Sequence, residues 1–253
     1  MSEGRITSTF QNHITTIEFY HPAQNSLPGQ LLNELVFHIH QAGTDDQTIL
    51  IILKSEGERS FCAGASFTEL ASIQDFETGK KFFLGFANVI NAIRKCPKMV
   101  ISRIHGKAVG GGVGLAAACD YCMATKYASV RLSELAVGIG PFVIGPAVER
   151  KIGLSAFSQM AINATEWQTA DWGKQKGLFT EVFEDIKQLD AYIEYFTAEL
   201  VKKNPEAILQ LKQVFWEGTD HWDELLERRA EISGRLILTD FAKDAIKAFL
   251  NTG

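Results

Sequence analysis

The chain has 253 residues and a formal net charge of -5, from 25 basic and 30 acidic side chains. With 46% hydrophobic and 22% charged residues it has the composition of a folded globular protein with one core. The acidic balance argues against a nucleic-acid partner, which needs clustered Lys and Arg. No apolar run approaches the roughly 20 residues that cross a bilayer, and the N-terminus has no apolar leader, so we expect a cytoplasmic protein with no membrane partner.

The first part of the chain predicts a β, α, β arrangement. Residues 6–10 and 14–19 are rich in β-branched side chains and flank a turn, which indicates a hairpin. Leucine and isoleucine then recur at helical spacing over 28–43, with Ser26 as the expected N-cap. Residues 48–53 are apolar on both faces, which is typical of a buried parallel strand.

Strands and helices continue to alternate through the middle of the chain. A loop at 61–66 precedes a long amphipathic helix at about 75–94, and an apolar strand at 99–104 leads into a glycine turn at 110–112. A helix of small residues follows as far as 118. Strands and crossover helices in this order predict an α/β fold.

The C-terminal third is predicted to be mainly helical. Short strands are expected near 121–124 and 129–132, and helical periods dominate from about 154. We divide the chain into a core, 1–199, and a C-terminal helical region, 200–253. That region holds Trp216, Trp222 and an apolar stripe over 225–238, which must pack on the core or on a second copy, so we expect an oligomer.

The turn Gly110-Gly111-Gly112 is the most informative feature for chemistry. Glycines between a strand and a helix leave backbone N–H groups uncovered at the positive end of the helix dipole, where they can hold a developing oxyanion. A dinucleotide fingerprint would need glycine at 115, which is Leu115. The alternative explanation for these glycines is that small residues let the helix pack closely on the sheet.

A second backbone donor is expected from the loop Phe61–Ser66. This loop also follows a strand, so its N–H groups and those of the glycine turn can converge on one carbonyl oxygen. An ordinary turn is the alternative explanation for this loop. The cysteines and histidines, in contrast, show no metal spacing, and we expect no metal site and reduced thiols. The cysteines are Cys62, Cys96, Cys119 and Cys122.

Several motifs together resemble the crotonase, or enoyl-CoA hydratase/isomerase, superfamily. They are Phe61-Cys62-Ala63-Gly64-Ala65, His105-Gly106 before Gly110-Gly111-Gly112, Ala118-Cys119-Asp120, and Glu134 with Gly138. His21 to Leu27 resembles the early CoA loop of this family, and Phe241, Asp244, Ala248 and Phe249 resemble its C-terminal helix. The resemblance covers nearly the whole chain.

The resemblance implies a spiral of ββα units with a C-terminal region that forms trimers, often paired into hexamers. It further implies an oxyanion hole made by the N–H groups of Ala65 and Gly111. The coenzyme A part of the substrate is expected near Pro22, Gln24, Ala63 and Gly64. No cofactor is implied beyond the coenzyme A of the substrate itself.

Glu134 matches one of two glutamates that hydratases in this family use, but the position of the other is Gly114 here. Hydration is easiest with two carboxylates, whereas moving a double bond needs one base that carries a proton from C2 to C4. The sequence therefore favours isomerisation by Glu134. Two alternatives stay open, namely an enoyl-CoA hydratase (a lyase), including one for branched-chain enoyl-CoA, and a non-catalytic acyl-CoA-binding protein.

We also expect an environment for Glu134 that raises its pKa. The apolar neighbours that would desolvate the carboxylate are Leu132, Leu135, Ala136 and Val137. Ser66 stands where the family has Asp, and His105 is expected to be structural.

Overall fold

Within residues 4–251, the part that this computed structural model describes, ten strands form two sheets. The larger sheet has the spatial order β1 (Arg5–Gln11), β2 (Ile14–Tyr20), β3 (Leu50–Ser55), β5 (Met99–Ile104), β7 (Tyr121–Thr125), β10 (Glu181–Phe183). The smaller sheet has the order β4 (Ser60–Cys62), β6 (Lys107–Val109), β8 (Ser129–Arg131), β9 (Gln168–Thr169). The pairs β1/β2 and β8/β9 are antiparallel, and the other neighbours are parallel.

Ten helices cover these sheets in the described part of the chain. They are α1 (Gly29–Thr44), α2 (Phe67–Ser72), α3 (Phe76–Lys95), α4 (Gly111–Ala118), α5 (Gly145–Ile162), α6 (Ala170–Lys176), α7 (Ile186–Leu200), α8 (Pro205–Phe215), α9 (Trp222–Leu236) and α10 (Asp240–Asn251). A 3-10 helix spans Leu135–Val137. None of these helices combines the length and apolarity needed to cross a membrane.

A strand of the large sheet, a strand of the small sheet and a helical segment follow one another three times along the chain. The units are β3, β4, α2 with α3; then β5, β6, α4; then β7, β8 and, after the 3-10 turn, α5. This order confirms the predicted ββα repeat. The short strands β4, β6 and β9 have three residues or fewer, too few to show a period-2 pattern, and sequence periodicity missed them.

Two predicted helix starts were wrong. Pro28, not Ser26, occupies the N-cap of α1, and the Ser26 hydroxyl lies 3.1 Å from Nδ1 of His21 instead. The helical period expected from about 154 is the second half of α5, which begins at Gly145 and is interrupted at Gly153 (φ +76°). Positive φ at Gly153 breaks the helical period, so the two halves do not form one continuous apolar stripe.

The C-terminal helices pack on the core of the same chain. Helix α9 lies along α3, where Gly79 and Gly234 let the two backbones approach closely. Trp216 and Trp222 are 9% and 5% exposed. Of the two possibilities expected from the sequence, these tryptophans pack on the core of their own chain, so their burial alone does not call for a second copy. Trimer formation stays a prediction, as does the division of the chain at residue 200.

A buried ion pair attaches α8 to the large sheet. Asp120 and Lys212 lie 2.9 Å apart with side chains 2% and 3% exposed. The Asp120 carboxylate also accepts hydrogen bonds from the backbone N–H of Val100 (2.7 Å) and from Nε1 of Trp216 (2.8 Å). The ion pair and the two hydrogen bonds offset the cost of removing the Asp120 charge from water. Because these partners are close and specific, they hold the helical region in one position on the core.

The thiols lie inside the core. Cys62, Cys96, Cys119 and Cys122 are all buried and free, and burial raises the pKa of Cys62 to about 12 and that of Cys122 to about 11. These groups stay protonated thiols near neutral pH. In residues 4–251, no three His, Cys, Asp or Glu side chains are grouped to hold a metal ion.

Candidate active site

Two loops meet at the end of the small sheet. Strands β4 and β6 run parallel, so the loops after Cys62 and Val109 leave the sheet side by side. Gly64 has φ +86°, and a Cβ there would lie 2.7 Å from the carbonyl oxygen of Val109 and 3.4 Å from the N of Gly111. The two loops are in contact, and only glycine permits that approach at residue 64.

The N–H groups of Ala65 and Gly111 have no acceptor among the described residues. Gly111 is the first residue of α4, whose opening N–H groups have no carbonyl partner inside the helix. The loop carrying Ala65 is held by the chain at 22–27, through Leu27 N–H to Gly64 O (2.8 Å) and Ala63 N–H to Gln24 O (3.1 Å). Two fixed backbone donors are therefore free at the meeting point.

The register of the small sheet places Glu134 beside these donors. Val109 on β6 pairs with Arg131 on β8, and the N–H of Gly110 donates to the carbonyl oxygen of Arg131 (2.8 Å). Gly110 has φ +50°, and a Cβ there would lie 2.8 Å from Oε1 of Glu134. The carboxylate thus rests against the glycine turn, and a larger residue at 110 would displace it.

Burial raises the pKa of Glu134 from its ordinary value of 4.5 to about 7. Oε2 of this carboxylate is inaccessible and has no hydrogen-bond partner among the described residues. The predicted direction of the shift is confirmed, but half of the predicted apolar flank was wrong, because Leu135 and Ala136 point to solvent. The carboxylate of Glu134 is desolvated instead by the glycine turn against which it rests and by the apolar walls of the cavity that it lines together with Val137.

This cavity, here called the reaction cleft, has a volume of about 60 Å³. Its walls are mainly apolar and include Leu70, Phe83, Phe86, Ile139, Phe142 and Ile144. Among the described residues that line it, Glu134 carries the only ionisable side chain, and Ser133 and Ser233 add hydroxyl groups. The predicted residues Ala63, Gly64, Ala65 and Gly111 line it as well.

Gly114, the position of the second hydratase glutamate, does not line the reaction cleft. It is fully buried in α4, and a Cβ there would lie 2.4 Å from Cγ2 and 2.6 Å from Cβ of Ile144. Ile144 itself lines the cleft. The side chain of Ile144 therefore occupies the space that a carboxylate at 114 would need.

A second cleft, with a volume of about 800 Å³, opens beside the first and shares Ala63 and Ser133 with it. We call it the entrance cleft. Its cations are Arg59, Lys107 and Arg131, and no acidic side chain lines it in the described chain. The Lys107 Nζ and Arg131 Cζ atoms lie 5.1 and 4.5 Å from the ring centroid of Trp167. This arrangement is electropositive and suits an anionic ligand.

Sequence reasoning missed these cations because they are far apart in the chain. Arg59 precedes β4, Lys107 begins β6, Arg131 ends β8 and Trp167 precedes β9. These four strands are neighbours in the small sheet, which brings the side chains together. No local motif could have identified them, since pairing of the strands is non-local.

The remaining predicted residues are placed as follows. Gln24 lines the entrance cleft, whereas Pro22 is exposed on its loop and lines neither cleft. Ser66 caps α2 by accepting a hydrogen bond from the N–H of Glu69. His105 is buried outside both clefts, where burial and Arg103 lower its pKa to about 4.

Comparison with known proteins gives a consistent result. Residues 9–253 match the sequence profile of the enoyl-CoA hydratase/isomerase family. A short-chain-enoyl-CoA hydratase from Clostridium acetobutylicum is 29% identical over 90% of this chain and 87% of its own length. The peroxisomal Delta(3,5)-Delta(2,4)-dienoyl-CoA isomerase from Arabidopsis thaliana is 25% identical over 79% of this chain and 76% of its own length.

The fold comparison agrees. The crystal structure of an enoyl-CoA hydratase from Bacillus halodurans superposes with a TM-score of 0.88, with 22% identity, over 96% of this chain and 99% of the other. At that identity the likeness shows the fold, which is the crotonase fold expected from the sequence. The chain therefore belongs to the enoyl-CoA hydratase/isomerase family of enzymes.

Proposed function

We propose that this protein binds an acyl-CoA thioester and moves its double bond, with Glu134 as the only acid/base and the N–H groups of Ala65 and Gly111 as the oxyanion hole. The observation that carries the proposal is that Glu134 has no second ionisable side chain beside it among the described residues of the reaction cleft. The pKa of this carboxylate is raised to about 7 beside two free backbone donors.

The chemistry follows from that arrangement. Ionised Glu134 takes a proton from C2 of a 3-enoyl thioester, and the electron pair of the C–H bond moves onto the thioester oxygen as a dienolate. Ala65 and Gly111 donate hydrogen bonds to this oxyanion. Glu134 then returns the proton to C4, which leaves a double bond between C2 and C3. A carboxylate with a pKa near ambient pH is suited to both transfers.

The entrance cleft supports coenzyme A as the carrier of the acyl group. Coenzyme A bears phosphates, and Arg59, Lys107 and Arg131 give this cleft only positive charge. Gln24 lines the entrance cleft, and Ala63 lines both clefts. We assign the coenzyme A chain to the passage between the two clefts, and we expect no other cofactor.

Hydration of a 2-enoyl-CoA is the second candidate. It is favoured by the name of the Clostridium relative, a short-chain-enoyl-CoA hydratase. A second carboxylate to activate water is absent from the described lining of the reaction cleft, however, and Ile144 fills the space beside Gly114. Isomerisation therefore fits the residues present better, because it needs one carboxylate and hydration is easiest with two.

A pair of rate measurements tests the proposal. The conjugated 2-enoyl thioester absorbs in the ultraviolet, so its formation from a 3-enoyl-CoA and its loss by hydration are followed at one wavelength. We expect faster formation than loss, across straight and branched acyl chains. Clearly faster hydration would transfer the function to the hydratase candidate, and no reaction at all would favour a non-catalytic acyl-CoA-binding protein.

The space beside Gly114 gives a sharper test. Gly114→Glu alone collides with Ile144 and is expected to destabilise the protein. The double variant Gly114→Glu with Ile144→Ala provides both the second carboxylate and room for it. We expect this double variant to raise the ratio of hydration to isomerisation, and Ile144→Ala alone to leave that ratio near the wild-type value.

A further inference from the structure

Ser233 places a hydroxyl group in the apolar reaction cleft that neither the proposed proton transfer nor the oxyanion hole uses. The residue is on α9, is 1% exposed and lines the cleft. Its hydroxyl makes no hydrogen bond with any described residue. Serine inside a helix usually bonds back to the carbonyl oxygen one turn earlier, as Thr197 does to Ile193 (2.7 Å).

The crossing of two helices brings Ser233 to the wall of the cleft. The next residue, Gly234, meets α3 so closely that a Cβ there would lie 2.7 Å from the N of Lys80. Phe83, one turn further along α3, also lines the cleft. A larger residue than glycine at 234 would separate the helices and move Ser233 away from the cavity.

The Ser233 hydroxyl is accessible from the cleft, so a ligand bound there can form a hydrogen bond with it. Phe83, which lines the same cleft from the neighbouring helix α3, has no polar side-chain atom that could be its partner. We propose that Ser233 donates a hydrogen bond to an oxygen atom carried by the acyl chain, so that the protein selects oxygenated acyl groups over plain hydrocarbon ones. The inference rests on the proposed acyl-CoA function and names its substrate class.

Binding of saturated thioesters tests this without any turnover. Calorimetric titration would compare butyryl-CoA with 4-hydroxybutyryl-CoA, and pentanoyl-CoA with glutaryl-CoA, on wild type and on Ser233→Ala. Loss of the hydrogen bond is expected to weaken a hydroxyl ligand by about 3- to 10-fold and a carboxylate ligand by about 10-fold or more, while hydrocarbon ligands change less than about twofold. The pair that responds shows whether the oxygen is a hydroxyl or a carboxylate.

Ser102→Ala is the control, since the Ser102 side chain is buried but lies outside the cleft. It should leave all four affinities unchanged. Alanine is a good helix former, so Ser233→Ala should keep the wild-type melting temperature, and Ser233→Cys repeats the test at similar volume. Equal changes for oxygenated and hydrocarbon ligands would overturn the inference. Selective binding in a protein that catalyses neither reaction would overturn the proposed function and leave the assignment of Ser233 standing.

Discussion

Replacing Glu134 by glutamine removes the charge of the proposed base and keeps its size. The backbone donors at Ala65 and Gly111 are untouched, so affinity for a CoA thioester should stay within a few fold. Turnover should fall by about 10² or more, the usual effect of losing a positioned acid/base, which corresponds to at least about 2.7 kcal/mol of transition-state stabilisation. The assay is the ultraviolet absorbance of the 2-enoyl product.

The same substitution should change stability in a pH-dependent way. The pKa of Glu134 is raised from 4.5 to about 7, so folding favours the protonated form. That stabilisation is complete below about pH 4.5 and is lost as pH rises through about 7, a difference of about 3 kcal/mol. Glu134→Gln cannot ionise, so it should melt higher than wild type at pH 8 and at the same temperature near pH 4.5.

Activity and stability therefore move in opposite directions at pH 8, which separates a catalytic effect from unfolding. The wild-type kcat/KM should rise about tenfold per pH unit below about 7 and level off above it, because the base must be ionised. Glu149→Gln, an exposed glutamate on α5, is the control and should change neither property. Retained turnover in Glu134→Gln would remove this residue from the mechanism and refute the reasoning.

Three further predictions concern the turn, the buried ion pair and assembly. Gly110→Ala should lower turnover at least about tenfold, because φ is +50° and the added Cβ meets Oε1 of Glu134; unchanged kinetics would contradict this. Asp120→Asn leaves Lys212 buried without its counter-charge and should cost about 3 to 5 kcal/mol in denaturant unfolding, with exposed Asp46→Asn as the neutral comparison. Light scattering at micromolar concentration should give the mass of a trimer or hexamer, and a monomer would end that expectation.

The sequence determined much of the fold because the relevant signals are local. The apolar run at 48–53 and the stripe of α3 follow from side-chain period alone, and both elements lie close to where they were expected. The glycine turn at 110–112 is likewise visible in the sequence, since only glycine tolerates a positive φ with a carboxylate pressed against it. The order and spacing of the motifs were sufficient to predict the family.

The tertiary structure decided what surrounds the catalytic carboxylate. Glu134 meets the glycine turn because β6 and β8 pair in one register, and Arg59, Lys107 and Arg131 meet because β4, β6 and β8 are neighbours. The exclusion of a side chain at Gly114 by Ile144 depends in the same way on how α4 packs against α5 and the residues that precede it. These contacts join residues more than 20 positions apart, and no local pattern encodes them, because strand register and helix packing are set by the whole core.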